Sequence, residues 1–256
     1  MRFLIGVLGL LLYASSAFSV GNGACTDIYR VAVNESEPLY FRSDRTDSFS
    51  GLTQDVLREL EIRTGCKFEP VVFNRSKVYA EMQAFRVDLV LVTIRNPIYD
   101  KVAEFLPIAT TMREVLISRS QLRAHKSFTS VINDPKIRFI VLPGVSFLFL
   151  ATESHQLEKE GRFLTTTSLQ SAYDLLARSN IYAAVQPEFV HNYFISKKKL
   201  GDEFVRIPDP LSTFEIGAYY VSKKDHPMKS IFQVKTAFKK MTADGTWKKL
   251  IDKYSH

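Results

Sequence analysis

The sequence contains little cysteine and little histidine. Two of the 256 residues are cysteines, Cys25 and Cys66, which are too few to build a metal site on their own. The five histidines are scattered, and the sequence has no nucleophile elbow, no phosphate loop and no metal-type histidine spacing. We therefore predict no metal, no cofactor and no catalytic residue.

Long apolar runs are also missing. The run 3–13 would rise only about 16 Å as a helix, well short of the roughly 30 Å hydrocarbon core of a bilayer. It follows one arginine and leads into small residues, so we predict a cleavable secretory signal at residues 1–19. A second apolar stretch, 137–151, is interrupted by a Pro-Gly turn. We expect an exported chain without a membrane helix after cleavage.

The net charge is +7, from 34 basic and 27 acidic residues. This excess mildly favours anionic partners. The basic clusters, including Lys197-Lys198-Lys199, are interspersed with acids and do not alternate with aromatic residues. We interpret them as solvated surface and predict no nucleic-acid partner.

Strand and helix patterns alternate through the first part of the chain. Apolar residues at helical spacing from Leu52 predict a helix that ends at Thr64-Gly65, and Val78, Met82 and Phe85 predict a second helix. This order favours a parallel sheet with right-handed crossovers. The predicted strands are 29–33, 66–73 and 88–93.

The two cysteines each stand just before a predicted strand. In such a sheet the first two strands can be neighbours, which would place Cys25 and Cys66 at one edge. Exported chains favour oxidised thiols, so we predict a disulfide between them. Lipidation of Cys25 is the alternative, although Asn22-Gly23-Ala24 lacks the aliphatic residue expected before a lipidated cysteine.

The alternation repeats later in the chain. A turn at Pro143-Gly144 precedes a helix start at Ser146, and Thr167 with Gln170 has capping-box spacing. Leu169, Ala172, Tyr173 and Leu176 give the following helix a buried face, and two C-terminal helices carry apolar stripes that we assign to the core. The predicted strands here are 137–142, 162–165, 181–185 and 216–221.

Several phrases, in this order, resemble the family 3 extracellular solute-binding proteins, the periplasmic receptors of polar amino-acid uptake systems. The resemblance covers essentially all of the chain after the predicted signal. The phrases are Tyr29-Arg30-Val31-Ala32-Val33-Asn34-Glu35 leading to Pro38-Leu39-Tyr40-Phe41, then Gly51-Leu52-Thr53-Gln54-Asp55-Val56, Val87-Asp88-Leu89-Val90, Ala243-Asp244-Gly245-Thr246-Trp247 and Lys253-Tyr254.

The resemblance implies an α/β fold of the type II periplasmic binding protein kind, with two α/β lobes joined by two crossing strands. We place the crossings near 110–113 and 213–215. The first lobe then comprises 26–111 and 214–256, and the second comprises 112–213. Ligand would lie between the lobes, which would close over it by a hinge motion.

The family's two ion-pair partners are not at their usual positions. The resemblance places the family's carboxylate-clamping arginine at the position of Asp100 or Tyr99 in this sequence. It places the family's ammonium-binding aspartate at or beside Gln186-Pro187, with Glu188 next. Arg75 and Arg95 are displaced candidates for the clamp; the alternative is that both are exposed loop arginines. We expect an anionic or neutral polar ligand, with an anion-holding turn at Gly144-Val145-Ser146. The predicted ligand-binding residues are Asn34, Tyr40, Arg75, Thr93, Arg95, Ser146 and Gln186.

These features together predict a function. We expect a monomeric periplasmic solute-binding protein, not an enzyme, that captures a small polar ligand, anionic or amino-acid-like, for an ABC-type membrane transporter complex. One alternative is a cyclohexadienyl-type dehydratase with Glu35 or Glu188 as its acid. The other is a ligand sensor or adaptor without transport.

Overall fold

The computed structural model describes residues 25, 27–43, 47–143, 148–221 and 231–255. The predicted signal peptide at 1–19 and the predicted helix start at Ser146 lie outside these residues. The described strands are β1 Ile28–Val33, β2 Phe41–Arg42, β3 Phe49–Ser50, β4 Lys67–Val72, β5 Leu89–Ile94, β6 Glu104–Ser118, β7 Arg138–Val141, β8 Phe163–Thr165, β9 Tyr182–Pro187 and β10 Phe204–Tyr220. The described α-helices are α1 Leu52–Thr64, α2 Val78–Gln83, α3 Phe128–Asn133, α4 Ala151–Lys159, α5 Leu169–Leu176, α6 Glu188–Lys198, α7 Ile231–Ala243 and α8 Thr246–Lys253.

One eight-stranded sheet runs through the molecule in the order β4-β1-β5-β10-β6-β9-β7-β8. At one end β4, β1 and β5 are parallel, and at the other end β9, β7 and β8 are parallel. Each triplet has its first strand in the middle, as expected for two units of the same design. We call β1 to β5 with α1, α2, α7 and α8 the first half. The second half is β7 to β9 with α3 to α6, together with the β6 residues Arg113 to Leu116, which pair with β9.

The long strands β6 and β10 join the two halves through antiparallel pairing. Thr213 lies opposite Met112 and Glu215 lies opposite Thr110, so the two predicted crossings face each other. The predicted α/β fold with two crossing strands is thereby confirmed, while the residue bounds of the two lobes stay a prediction. The register slips beside this point, and residues 209–212 lie opposite the single residue Arg113.

The predicted pairing of the first two strands is correct. β1 and β4 are parallel neighbours, with Ile28 opposite Lys67. Cys25 and Cys66 form a disulfide with their Cα atoms 4.8 Å apart, which confirms the predicted bond. Helix α1 ends at Gly65, whose φ of 71° lies in the left-handed region that glycine favours.

Two predictions about local structure were wrong, and a third was incomplete. The N-cap of α5 is Ser168, whose hydroxyl accepts from the Ser171 amide at 3.1 Å, so Thr167 with Gln170 is not the cap. Phe85 lies beyond the end of α2 and is 47% exposed, because the chain has already left the helix with a φ of 54°. The predicted strand 216–221 is only the end of the 17-residue β10.

Apolar residues at helical spacing cover both faces of the sheet. The four predicted buried positions of α5 are all buried, and so are Trp247 and Tyr254 at the C-terminal end. Leu52, Val56 and Leu60 of α1 belong to the same core as Val234, Phe238 and Met241 of α7. Within the described ranges, no helix has the length and apolar character needed to span a bilayer.

The second half also buries charge. Arg113, on β6, is only 1% exposed and packs its guanidinium 4.3 Å from the centre of the Phe128 ring. It donates to Glu153 Oε2 at 2.5 Å, to Asp209 Oδ2 at 2.7 Å and to the Leu148 carbonyl at 3.0 Å. This Arg113 network links β6, α4 and the interrupted segment of β10.

A buried histidine lies in the same half. His191 is 0% exposed; its Nε2–H donates to the Glu114 carbonyl at 3.0 Å, and its Nδ1 accepts from the Tyr173 hydroxyl at 2.6 Å. Burial lowers the pKa of His191 to about 4. The imidazole is therefore neutral around pH 7 and acts as part of the core.

Candidate functional site

A cleft opens between the two halves at the carboxyl ends of their parallel strands. The first half contributes Ala32 to Asn34 at the end of β1 and Val90 to Ile94 on β5, and the second half contributes Leu142 after β7 and Gln186 at the end of β9. The cleft has a volume of about 1040 Å³, part of which is open to solvent. Ligands of α/β proteins commonly bind at this edge of the sheet.

The lining of the cleft is mostly apolar. Of its 23 residues, six carry a polar or charged side chain other than tyrosine, and no aspartate, glutamate or histidine belongs to the described lining. The six are Asn34, Ser36, Thr53, Arg75, Thr93 and Gln186.

Arg75 places a cation in this apolar cleft. It begins a short 3₁₀ turn after β4, where the Asn74 side chain accepts from the Ser76 amide at 3.3 Å. In the described part of the chain, the Arg75 guanidinium has no hydrogen bond and no ion pair. Burial lowers the pKa of Arg75, and the nearby Tyr99 hydroxyl opposes this shift. Arg75 therefore brings guanidinium N–H donors to the cleft lining that no described residue accepts.

Three further polar side chains line the cleft from different elements. Asn34 is already engaged, since its Nδ2 donates to the Phe73 carbonyl at 3.1 Å. Thr93 follows the buried part of β5, and Gln186 reaches in from β9. Among the described residues the side-chain amide of Gln186 has no hydrogen-bond partner. Arg75 and Gln186 are thus polar groups from opposite halves that are available to a ligand.

Helix α1 begins at the edge of the cleft but leaves few free donors there. The Leu52 and Thr53 amides donate to the Pro38 and Leu39 carbonyls at 2.9 and 2.8 Å. Gly51 permits this approach, because a Cβ atom there would lie 2.4 Å from the Leu39 carbonyl oxygen, and its φ is 120°. The N-terminus of α1 is therefore used to hold the neighbouring loop.

Two of the phrases that carry the family resemblance contact each other beside this helix. The Tyr254 hydroxyl donates to Asp55 Oδ2 at 2.8 Å and accepts from the Gly51 amide at 3.2 Å, and Lys253 Nζ lies 2.6 Å from the same carboxylate oxygen. The C-terminal segment thereby fixes the start of α1. This contact gives a physical reason why the two phrases occur together in the sequence.

The halves touch each other at the mouth of the cleft. Lys197 on α6 lies 2.6 Å from both carboxylate oxygens of Glu37, in the loop after β1. Beside this pair, the rings of Phe41 and Tyr193 are 6.3 Å apart. We call these two contacts the mouth contacts.

Five of the seven predicted ligand-binding residues line the cleft. Arg95 does not: it is half exposed, and its guanidinium pairs with Asp100 at 3.1 Å and Glu215 at 3.0 Å. Ser146 and its predicted anion-holding turn lie outside the described residues. The five lining residues are Asn34, Tyr40, Arg75, Thr93 and Gln186.

The cleft is also lined by residues that the sequence did not indicate, and it lacks the two acids of the dehydratase alternative. Thr53 and Tyr99 line the cleft. Thr53 lies in the Gly51 to Val56 phrase, and Tyr99 is one of the two positions, with Asp100, at which the resemblance places the family's arginine. Neither proposed acid lines the cleft. Glu35 is exposed, and Glu188 lies 3.4 Å from Arg206 with 60% of its side chain exposed.

Comparison with solved structures shows proteins of the same fold. An ancestral amino-acid-binding protein, described as a precursor of cyclohexadienyl dehydratase, is 19% identical with a TM-score of 0.69, over 90% of this chain and 96% of that chain. An amino acid ABC transporter substrate-binding protein from Streptococcus pneumoniae, bound to L-arginine, is 16% identical with a TM-score of 0.70, over 89% and 94%. The glycine complex of the Pleurobrachia bachei iGluR3 ligand-binding domain is 12% identical with a TM-score of 0.71, over 89% and 96%.

Sequence comparison gives a more specific result. No protein with a curated description matches the chain. A family profile, described as bacterial extracellular solute-binding proteins, family 3, matches residues 29–256. This range includes every described strand except the first residue of β1, and every lining residue of the cleft. The chain belongs to the bacterial extracellular solute-binding proteins of family 3.

Proposed function

We propose that the protein captures a small anionic molecule in the cleft between its halves, with Arg75 as the cationic clamp, and releases it unchanged. The observation that carries this proposal is the Arg75 guanidinium, which lies in the cleft with no protein acceptor among the described residues. A partly desolvated cation without a partner is costly, and an anionic ligand removes that cost. The planar fork of an arginine suits a carboxylate or a phosphate.

Closure of the halves would strengthen this binding. Gln186 approaches from the second half while Arg75 belongs to the first half, so a ligand between them engages both only when the cleft is shut. On this proposal the mouth contacts between Glu37 and Lys197 and between Phe41 and Tyr193 would form in the shut protein and break when the cleft opens. Exclusion of water then makes each polar contact in the cleft stronger. We propose a hinge motion along β6 and β10.

The cellular role follows from the family and from the predicted signal. We propose that residues 1–19 direct export to the periplasm. The mature protein would act there as a monomer and deliver its ligand to an ABC-type membrane complex. A ligand sensor or adaptor would use the same cleft and the same closure, so this alternative differs only in the membrane partner.

A dehydratase is the alternative from another class, and one structural relative is described as a precursor of such an enzyme. An enzyme of this kind needs an acid beside its substrate. The two acids that sequence reasoning offered, Glu35 and Glu188, do not belong to the cleft lining. We therefore favour binding without turnover.

A thermal-shift screen against amino acids, dicarboxylates and aromatic acids tests the proposal, because a ligand that binds only the folded state raises the melting temperature. For any hit, Arg75→Ala should weaken binding by about thirtyfold or more, as expected when one partner of a buried charge pair is lost. Arg138→Ala is the matched control, since Arg138 is exposed at the opposite end of β7.

Two results would contradict the proposal. Equal affinity of the Arg75→Ala variant and the parent for the same hit would remove Arg75 from the site. Conversion of a prephenate-type acid by the purified protein, followed by the appearance of an aromatic product in the ultraviolet, would establish the enzyme instead.

A further inference from the structure

The charges around the cleft restrict the ligand more narrowly than "anionic". We propose that the ligand is a monocarboxylate with an apolar body and no ammonium group. This inference rests on the proposed function, because it assumes that Arg75 holds an anion. It adds what the rest of the cleft accepts and what it excludes.

A single anionic group fits the cations that are present. Arg75 is the one lysine or arginine in the described lining. Arg95, the other candidate clamp, is committed to Asp100 and Glu215 outside the lining. A second carboxylate on the ligand would be desolvated without a cationic partner, which disfavours binding. A ligand with one carboxylate avoids that cost.

An ammonium group on the ligand would find no carboxylate. No acid belongs to the described lining. Of the acids beside it, Glu35 is exposed, and Glu114, which lies opposite Gln186 in the sheet, is 3.5 Å from Arg206. Asp55 holds Tyr254 and Lys253, Glu37 holds Lys197, and Glu188 lies near Arg206. Gln186, which lines the cleft from the second half, offers only a neutral side-chain amide. An ammonium near Arg75 would also be repelled by the guanidinium.

The walls of the cleft suit an apolar body. Leu39, Val78 and Ile94 line it from the first half, and Leu169 and Phe189 line it from the second half. A chain or ring between these walls is stabilised in proportion to the apolar surface that it buries. This stabilisation does not require an α-ammonium group on the ligand. The apolar walls of the cleft therefore bind the apolar part of the ligand, while Arg75 binds its carboxylate.

The relatives of known structure differ from this expectation. Two of them are described as bound to L-arginine and to glycine, which both carry an α-ammonium group. Those descriptions apply to the relatives, which are 16% and 12% identical to this chain. The absence of an acid in the described lining is the feature from which we infer a different ligand class here.

Matched acids that differ only in the α-amino group test the inference. We suggest 4-methylpentanoate against leucine and 3-phenylpropanoate against phenylalanine, measured by titration calorimetry on the full mature protein. In at least one pair the plain carboxylate should bind at least about tenfold more tightly, because the desolvated ammonium has no partner. The corresponding primary amides, which lack the anion, should bind at least about tenfold more weakly than the acids. Arg75→Ala should abolish the preference for acid over amide, whereas Arg138→Ala should keep it.

The outcomes separate the inference from the proposed function. Tighter binding of leucine or phenylalanine than of its deaminated partner, lost in Arg75→Ala, would overturn the inference and leave the function standing. Binding of glutarate, but of neither monocarboxylate, with the same dependence on Arg75 would do likewise. If the folded protein binds none of these acids and none of the anions in the broader screen, the inference and the proposed function both fail.

Discussion

The two halves of the molecule share one strand order and differ in how they hold two of their arginines. In the second half, Arg113 and His191 are fully buried and are surrounded by hydrogen-bond partners. In the first half, Arg75 lies in the cleft without a partner among the described residues. The comparison teaches that a repeated architecture does not fix where charge is placed. Arg113 is held by carboxylates inside one half, whereas Arg75 of the other half is the charge that we propose for recognition.

The largest effect should come from the Arg113 network. We expect Arg113→Met to lower the free energy of unfolding by about 3 to 5 kcal/mol, because Glu153 and Asp209 would remain as uncompensated partly buried carboxylates. Urea denaturation measures this change. Arg138→Met, on an exposed residue, should stay within about 0.5 kcal/mol. A loss below about 1 kcal/mol for Arg113→Met would show that the buried charges do not brace the second half.

The next effect should be a pH dependence from His191. Its pKa is lowered from 6.5 to about 4 in the folded protein. The unfolded chain therefore binds a proton more readily between these values, and stability falls as the pH falls. We expect His191 to account for a loss of about 3 kcal/mol between pH 7 and pH 4, measured by urea denaturation at several pH values.

The control for this prediction is His191→Gln, which does not titrate. Burial raises the pKa of the neighbouring Glu114, so protonation of Glu114 opposes the loss in both proteins. The difference between the two pH profiles isolates the histidine. Parallel profiles would mean that His191 is accessible to protons in the folded state.

The smallest effect should come from Arg75 in the absence of ligand. We expect Arg75→Met to leave the free energy of unfolding unchanged or to raise it by about 1 kcal/mol, because the substitution removes a cation that has no partner. Denaturation in ligand-free buffer measures this. A loss of 2 kcal/mol or more would assign Arg75 a structural role like that of Arg113, and the contrast between the halves would disappear.

The sequence predicted the regular parts of the fold well. The spacing of Leu52, Val56 and Leu60 gave α1, and the buried face of α5 was read correctly, because helical periodicity is a local property. The lengths of β6 and β10 were missed. Their burial is irregular, and Pro107 and Pro208 interrupt the strand pattern, while the register that holds the two strands together is formed between distant parts of the chain.

The candidate site, too, could be predicted from the sequence only in part. Arg75 and Arg95 are both loop arginines, and nothing local distinguishes them. The structure separates them through long-range contacts, since Arg95 meets Glu215 from 120 residues further along the chain whereas Arg75 meets no acid among the described residues. The predicted disulfide succeeded because both cysteines precede strands whose order was itself predicted.

The slip in register between β6 and β10 has a mechanical consequence. Four residues of β10, 209–212, bulge opposite Arg113, and Arg113 ties that bulge to the second half through Asp209. The bulge should therefore travel as one rigid piece with the second half. Bending would then be confined to the short ladder from Met112 opposite Thr213 to Ala109 opposite Ile216. The hinge of the proposed motion would therefore consist of only a few residues on each of the two strands β6 and β10.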